Sequence, residues 1–527
     1  MEGTTAALAR ATAAAPQPAA VVETHISTLF FYGDRVVKVH KPVAFGFVDF
    51  TDLDRRREDC EREVALNRRL APDVYLGTAT VVLDGRPVEH GVVMRRLPAE
   101  RNFEQLVRSG RPVATELGWL AAVLADFHRH ADRSPRTAAA ATPAALWQRW
   151  QSTAEELDPF MGSLVDCDRY QELTRLASRY LAGRGPLFET RIDAGHIVDG
   201  HGDLQAADVF FLDDGPRILD CLEFDDELRY GDWAADLAFL VADLERLGAD
   251  REVGQLLDAY CPLMPELPPS SLFDFYVASR AHVRMVVECL RHPEGSPDPA
   301  GASDRFLDVA LTHLRQSEVR LILVGGPPGA GKSSLARWLG HRLGAEVLSS
   351  DVVRDDVGPP RGTAGRYGKP VRDAVYRAMC DQAGRLMSLG RSVVLDATWT
   401  TAERRRMAAD VARAAVADLH ELRCECPTDL REARVLQRPH DGPGSSEATP
   451  EVAADLAASA DPWPTAKAVD CAVPVDQAGR SALRLLADER QYDRAVQRSE
   501  QHDGPRRQTD RIDAPPPPST TSSTPVR

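Results

Sequence analysis

The sequence contains no apolar run long enough to cross a bilayer, which excludes a helical membrane protein. Basic charge is also in deficit. Against 79 acidic residues stand 64 basic ones, a net charge of −15 that repels nucleic acid and suits small soluble or cationic ligands. Paired cysteines are missing too. The nine present (Cys60, Cys167, Cys221, Cys261, Cys289, Cys380, Cys424, Cys426 and Cys471) are scattered, without the spacing of a disulfide framework or zinc site, and fit a reducing cytoplasm. The opening stretch, MEGTTAALARATAAAPQP, lacks the compact apolar core of a secretion leader, so residues 1–20 are expected to form a flexible arm. The chain closes on APPPPSTTSSTPVR, a composition that cannot build a core, and residues 491–527 are expected to be disordered.

What remains is too long for one hydrophobic core, and its patterning changes part-way. From Val21 to Gly91, short β-type runs break at Gly33-Asp34 (LFFYGDRVVKV) and Asp84-Gly85 (ATVVLDGRPVEHGVVM). This predicts two hairpins, with a helix between them over DLDRRREDCEREVALNRRL. Helical spacing then dominates, interrupted by a hairpin in VFFLDDGPRILD that is expected to turn over Asp213 to Pro216. Residues 21–295 thus read as a small β-rich lobe followed by a larger helical lobe. The Pro/Gly/Ser-rich RHPEGSPDPAGASD follows, so 296–317 is expected to be a linker and leading helix. Over 318–490, strand and helix alternate (VRLILV, SSLARWLGHRL, AEVLSS, SVVLDAT, LHELRCEC), which predicts an α/β domain on a parallel sheet.

GPPGAGKS lies between an expected strand and an expected helix and fits G-x-x-x-x-G-K-[ST]. Backbone N–H groups of Gly326, Gly329, Ala330 and Gly331 would curl around phosphate, with Pro327 and Pro328 shaping the loop, at a helix start that continues through Ser334. Lys332 would add positive charge and Ser333 a hydroxyl for Mg2+. Asp396 ends a strand in SVVLDATWT and is a candidate magnesium partner. Asp351 in LSSDVVRDDV is a candidate acceptor of an alcohol proton, and Arg354, one helical turn on, a candidate clamp for a substrate anion. An N-cap and a surface arginine are the plainer alternatives. Arg434 and Arg438, four apart, suit either a phosphate-clamping lid or a solvated helix face. This half resembles small-molecule kinases of the P-loop class, the group that holds gluconate kinase, adenylylsulfate kinase and chloramphenicol phosphotransferase.

In the first half, HGDLQAAD is followed by a hairpin and then by ILDCLEFDDELRYGDWAADLAFL. Over residues 21–295 this resembles the aminoglycoside phosphotransferase family, whose fold is protein-kinase-like. The resemblance implies a bilobal α+β domain in which Asp203 orients or deprotonates a substrate hydroxyl and Asp208 and Asp220 hold metal. It further implies that Lys38 in DRVVKVHKP holds the nucleotide phosphates, with Glu63 as its ion-pair partner and Glu61 as the rival. Three departures stand out. No G-x-G-x-x-G is present, leaving Ser27 and nearby backbone to cover the phosphates; Gln205 stands where relatives often carry histidine; and Asp208 replaces asparagine, keeping a hard oxygen ligand while adding a charge that repels phosphate.

Asp232 and Asp236 match the family's G-D-x-x-x-D-L-A pattern, where the first usually braces the catalytic loop. Glu223, Asp225, Asp226 and Glu227 suit either a site for a cationic substrate or a solvated acidic loop. His128 and His130 have helix spacing but no evident supporting acid, and read as packing or surface residues. The whole is expected to be a cytoplasmic multidomain phosphotransferase using ATP and Mg2+ on a small-molecule hydroxyl. The rival expectation is a P-loop kinase or NTPase regulated by a ligand-sensing, catalytically weak kinase-like domain.

Overall fold

The computed structural model describes residues 18–23, 26–45, 48–291, 299–360, 363, 365–437 and 460–486. The expected arm, the expected tail and Arg438 lie outside these, apart from the arm's last three residues. Strands β1 (Ala20–Glu23), β2 (Ser27–Tyr32) and β3 (Arg35–His40) are followed by a ribbon of β4 (Ala44–Phe45) and β5 (Val48–Asp49). With β6 (Tyr75–Leu83) and β7 (Arg86–Arg95) the first three form an antiparallel sheet in the order β1-β2-β3-β7-β6. Both expected turns join neighbours in this sheet, and β1 adds an edge strand that the sequence patterning did not suggest.

Helix α1 (Leu53–Asn67) begins at Asp52, whose carboxylate accepts from the Arg55 N–H. Its buried face sets Cys60 and Val64 against Val36, Val92 and Met94 of the sheet. Two anchors fix its position. Arg56 forms a buried two-point pair with Glu89 of β7, at 2.8 and 3.0 Å, and the Asn67 side chain accepts from the Cys221 N–H at 2.8 Å.

The second lobe is helical, built on α2 (Ala114–His130), α3 (Cys167–Ala182), α4 (Trp233–Arg246), α5 (Ser270–Leu290) and α6 (Pro299–Gln316). Its core includes Leu117, Leu124, Leu173, Phe239 and Phe275. Short strands β8 (Ile197–Asp199) and β11 (Tyr230–Asp232) pair at its edge, and between them β9 (Val209–Leu212) and β10 (Gly215–Ile218) form the third hairpin. That hairpin turns on Asp213-Asp214, tighter than the expected span, because Pro216 sits inside β10 opposite Phe211. A two-stranded ribbon tolerates proline, since the missing N–H can face away from the partner. Helix α6 also packs into this lobe: Phe306, Leu307, Ala310, Leu311 and Leu314 are part of its core.

Only Ser317 to Val319 separate α6 from β12 (Arg320–Gly325), the central strand of the second sheet. There follow α7 (Lys332–Leu343), β13 (Glu346–Ser349), α8 (Ser350–Val357), α9 (Lys369–Ser388), β14 (Val393–Asp396), β15 (Asp418–Glu425), α10 (Thr428–Leu436) and β16 (Lys467–Asp470). The sheet is wholly parallel, ordered β13-β14-β12-β15-β16. Leu321 and Leu323 face one core and Ile322 and Val324 the other, as a strand covered by helices on both sides requires. The helical lobe contacts this domain at the starts of its strands. Arg179 pairs with Asp418, Arg184 donates to the Ala415 carbonyl at 2.7 Å, and the Ser271 hydroxyl donates to the Gly390 carbonyl at 2.7 Å. Among the described residues no helix is long and apolar enough to cross a membrane.

Candidate active sites in two domains

The loop His201 to Asp208 leaves β8 and enters β9, and Asp220 follows β10, so the hairpin brings Asp203, Asp208 and Asp220 near one another. Asp236 of α4 holds the loop. It accepts from the His201 N–H at 2.6 Å and the Gly202 N–H at 3.0 Å, and His128 Nε2 lies 3.4 Å away. Burial alone would raise this carboxyl, but His128, His201 and the loop N–H groups hold it far below the carboxylate range. A Cβ on Gly200 would stand 2.1 Å from the Asp236 carboxylate, so this approach requires glycine. The sequence reading is corrected twice here. The second aspartate of the pattern, not the first, braces the loop, since Asp232 is committed to Arg191 at 2.7 and 2.9 Å; and His128, buried in α2, does have a supporting acid. His130 is exposed.

Lys38 of β3 is buried and donates to Glu63 of α1 at 3.0 Å and to Asp220 at 2.9 Å. Burial opposes its charge, yet Asp220 and Glu63 hold its ammonium well above the ordinary lysine value. Lys38 in turn lowers Asp220, whose side chain is 54% exposed. Glu61, the rival, pairs with Arg57 on the outer face of α1. Asp220 has a positive φ of 62°, a conformation aspartate tolerates, and its N–H donates to the Tyr75 hydroxyl at 3.1 Å.

Asp203 accepts from Gln205 Nε2 at 2.8 Å. Burial raises its carboxyl, with Asp220 adding to the rise and Arg284 and Arg280 of α5 opposing it. Asp208 is pushed well above the carboxylate range, by burial first and then by Asp220 and Asp203. Three acids thus crowd together, and among them only Asp220 pairs directly with Lys38. The two arginines were missed by sequence reasoning. Nothing in their spacing relates them to a loop some eighty residues earlier in the chain. Ser27 does not play its expected part, because it is buried and its hydroxyl bonds His40 Nδ1 at 3.1 Å. Nor do the acids after Asp220 form one open patch. Glu223 is buried, Asp225 caps a short helix and Asp226 pairs with Arg62 and Arg229.

In the second domain the glycine-rich loop joins β12 to the start of α7 at Lys332. At Gly329, φ is 82° and a Cβ would lie 2.4 Å from the Arg431 carbonyl, so only glycine keeps this curl. Lys332 Nζ folds back to the Pro327 carbonyl at 3.0 Å. Asp396, at the end of β14, is buried and raised by that burial, with Lys332 and the Ser333 and Ser349 hydroxyls opposing the rise. Asp351 and Arg354, expected to act on substrate, pair with each other in α8, and the Arg354 guanidinium lies 4.7 Å from the centre of the Tyr367 ring. Arg434 donates to the Cys471 carbonyl at 3.0 Å and borders Gly331.

Residues 33–270 match a family model described as "Phosphotransferase enzyme family", and residues 321–463 one described as "AAA domain". The Mycobacterium tuberculosis H37Rv protein Rv2004c is 39% identical over 478 residues, covering 88% of this chain and 95% of its own length. The chain belongs to the family of Rv2004c. A Mycobacterium bovis member, Mb2027c, matches to the same extent. This family member joins an N-terminal domain that matches the phosphotransferase family to a C-terminal domain that carries the P-loop and matches the AAA model.

Among solved structures, a choline/ethanolamine kinase family protein from Mesorhizobium loti is similar at 14% identity and TM-score 0.37, over 59% of this chain and 99% of its own. A gluconokinase from Sinorhizobium meliloti 1021 is similar at 17% identity and TM-score 0.25, over 32% and 90%. The Mycobacterium tuberculosis APS kinase CysC is similar at 22% and 0.24, over 32% and 98%.

Proposed function

We propose that the chain is an ATP- and Mg2+-dependent phosphotransferase acting on a small-molecule hydroxyl, with a nucleotide site in each domain. The observation that carries this reading is the direct pairing of Lys38 with both Glu63 and Asp220, with Asp203 and Asp208 close enough to Asp220 to feel its charge. The donor set suits magnesium: Asp208 and Asp220 offer hard oxygens, and the burial and neighbouring acids that together raise Asp208 are what a divalent cation would offset. Asp208 and Asp220 would hold one ion here, and Ser333 with Asp396 another in the P-loop domain. When bound, the metal would neutralise phosphate charge.

The protein's own groups divide the remaining work. Lys38, kept charged by Glu63, would face the nucleotide phosphates. Asp203 would accept the hydroxyl proton, a role suited by a carboxyl raised above its ordinary value. Gln205, donating to Asp203 Oδ2, fixes which oxygen remains open to substrate. In the P-loop domain Lys332 and the curled backbone would cradle phosphate, with Arg434 at the rim and Asp351 and Arg354 toward the acceptor. Arg438 would extend that clamp.

With Mg-ATP and a panel of sugars, aminoglycosides and nucleosides, the protein should phosphorylate at least one hydroxyl. Asp203→Asn should lower that turnover by about 10²- to 10⁴-fold while ATP affinity stays nearly intact. Bound ATP with no transfer to any acceptor would overturn the proposal. A second reading, a sensing first domain that regulates the P-loop kinase, is favoured by the Gln205 bond on Asp203 and by the loss of Ser27 to His40. Under it, Asp203→Asn leaves turnover unchanged and Lys332→Ala abolishes it.

A further inference from the structure

Behind the Lys38–Glu63 pair lies a polar cluster that the proposed reaction does not use. His40 shares β3 with Lys38, two residues on; Asp59 is one helical turn before Glu63 on α1; Glu223 follows Asp220 by three residues. One ligand atom from each of His40, Asp59 and Glu223 lies within 4.8 Å of the others. His40 is 1% exposed and Glu223 4%. His40 Nε2 stands 3.3 Å from Asp59 Oδ2 and 3.4 Å from Glu63 Oε2, and these three buried atoms meet only one another, without a hydrogen bond of good geometry. Buried polar atoms are seldom left this way without a ligand or ion to meet them.

The other imidazole nitrogen, Nδ1, is engaged by the Ser27 hydroxyl, and His40 stacks on Phe50 at 4.5 Å. The ring is therefore oriented from behind, as metal-binding histidines are. Charge points the same way. Glu63, Asp59, Glu223 and Asp220 outnumber Lys38 and the more distant Arg62, so a divalent cation would offset the excess.

We propose that His40, Asp59 and Glu223 form a binding site for a divalent transition metal of the Zn2+ or Mn2+ class, separate from the nucleotide-linked magnesium. One imidazole and two carboxylates favour such metals over Mg2+ or Ca2+, and three protein ligands leave a coordination position for water or the Glu63 carboxylate. A metal there would tie β3, α1 and the segment after Asp220 together, fixing Glu63 against Lys38 without touching substrate.

The test uses the full chain stripped of metal and free of nucleotide, titrated with ZnCl2 or MnCl2 alone and followed by calorimetry and metal analysis after dialysis. Wild-type protein should retain one equivalent. Asp220→Asn should retain it as well, whereas His40→Gln and Glu223→Gln should each weaken binding at least tenfold. Should a variant fold poorly, Co2+ on the wild-type chain gives an independent readout: visible d–d bands without the near-ultraviolet thiolate charge-transfer band of a cysteine site. No uptake by wild type, unchanged uptake by both His40→Gln and Glu223→Gln, loss on Asp220→Asn, or a thiolate band would each overturn the proposal.

Discussion

His313 offers the most quantitative handle on how the two domains are joined. Its imidazole sits on α6, the last helix before the P-loop sheet, with Nδ1 2.7 Å from Asp274 of α5 and Nε2 2.9 Å from Glu245 of α4. The side chain is 8% exposed, so solvent does little to screen the contacts. Burial opposes the imidazolium, but the two carboxylates more than compensate, raising its pKa from 6.5 to about 9. The folded protein therefore holds a proton that the unfolded chain releases near pH 6.5. The resulting stability is complete below that pH and is lost as pH rises through about 9.

At about 1.4 kcal/mol per pKa unit, the bridge is worth about 3 kcal/mol at pH 6, about 1.4 at pH 8, and close to nothing by pH 10. His313→Gln should accordingly lower the melting temperature of the N-terminal transition by about 5 °C at pH 6. The deficit should narrow steadily between pH 7 and 9. Scanning calorimetry of both proteins across that range measures it, with Lys332→Ala as a check on which transition belongs to which domain. A deficit that stays constant from pH 6 to 9 would show that no proton is shared here and refute the argument.

Three further outcomes follow from the two sites. Asp208→Asn removes a carboxyl whose ionisation the fold resists, so in chelator it should raise the melting temperature, with a gain that grows from pH 4 to pH 7; thermal unfolding without that gain would contradict the crowding of Asp203, Asp208 and Asp220. Asp236→Asn loses charge-assisted bonds to two loop N–H groups and should cost about 2 to 4 kcal/mol in urea unfolding near pH 7. That cost should shrink as acid protonates the native carboxylate, since a depressed group gives stability above its unfolded pKa and loses it as pH falls. Gly329→Ala forces a Cβ onto the Arg431 carbonyl at a positive φ, so nucleotide binding to the P-loop domain should fall at least tenfold by calorimetry, with the first domain's transition unmoved.

Much of the architecture was legible because local rules and tertiary packing agree. The Gly33-Asp34 and Asp84-Gly85 turns, the alternation in β6 and the strand, loop and helix around GPPGAGKS are signals written within a dozen residues. Lys38 with Glu63 was implied by the family resemblance, with Glu61 left open beside it, whereas the hairpin before Asp220 was legible through its turn residues. What stayed hidden depends on side chains far apart in sequence. Arg280 and Arg284 act on Asp203 from α5, and Asp236 rather than Asp232 accepts the loop N–H groups because Asp232 is taken by Arg191. Strand β16, short and mostly exposed, gives no apolar run to read. His40 carries no local signal of a site, because Asp59 and Glu223 approach it from α1 and from the segment after β10.

The short join between the domains limits how this gene could have been assembled or can be rearranged. Only Ser317 to Val319 lie between α6 and β12, a span of about 10 Å, and both Ser317 and Val319 are buried. A recombination crossover placed in the Pro/Gly-rich RHPEGSPDPAGASD would carry α6 away with the P-loop half, stripping Phe306, Leu311 and Leu314 from the kinase-like core. Chimaeras between members of this family should therefore be viable when the breakpoint falls after Gln316, and aggregation-prone when it falls where the composition looks most like a hinge.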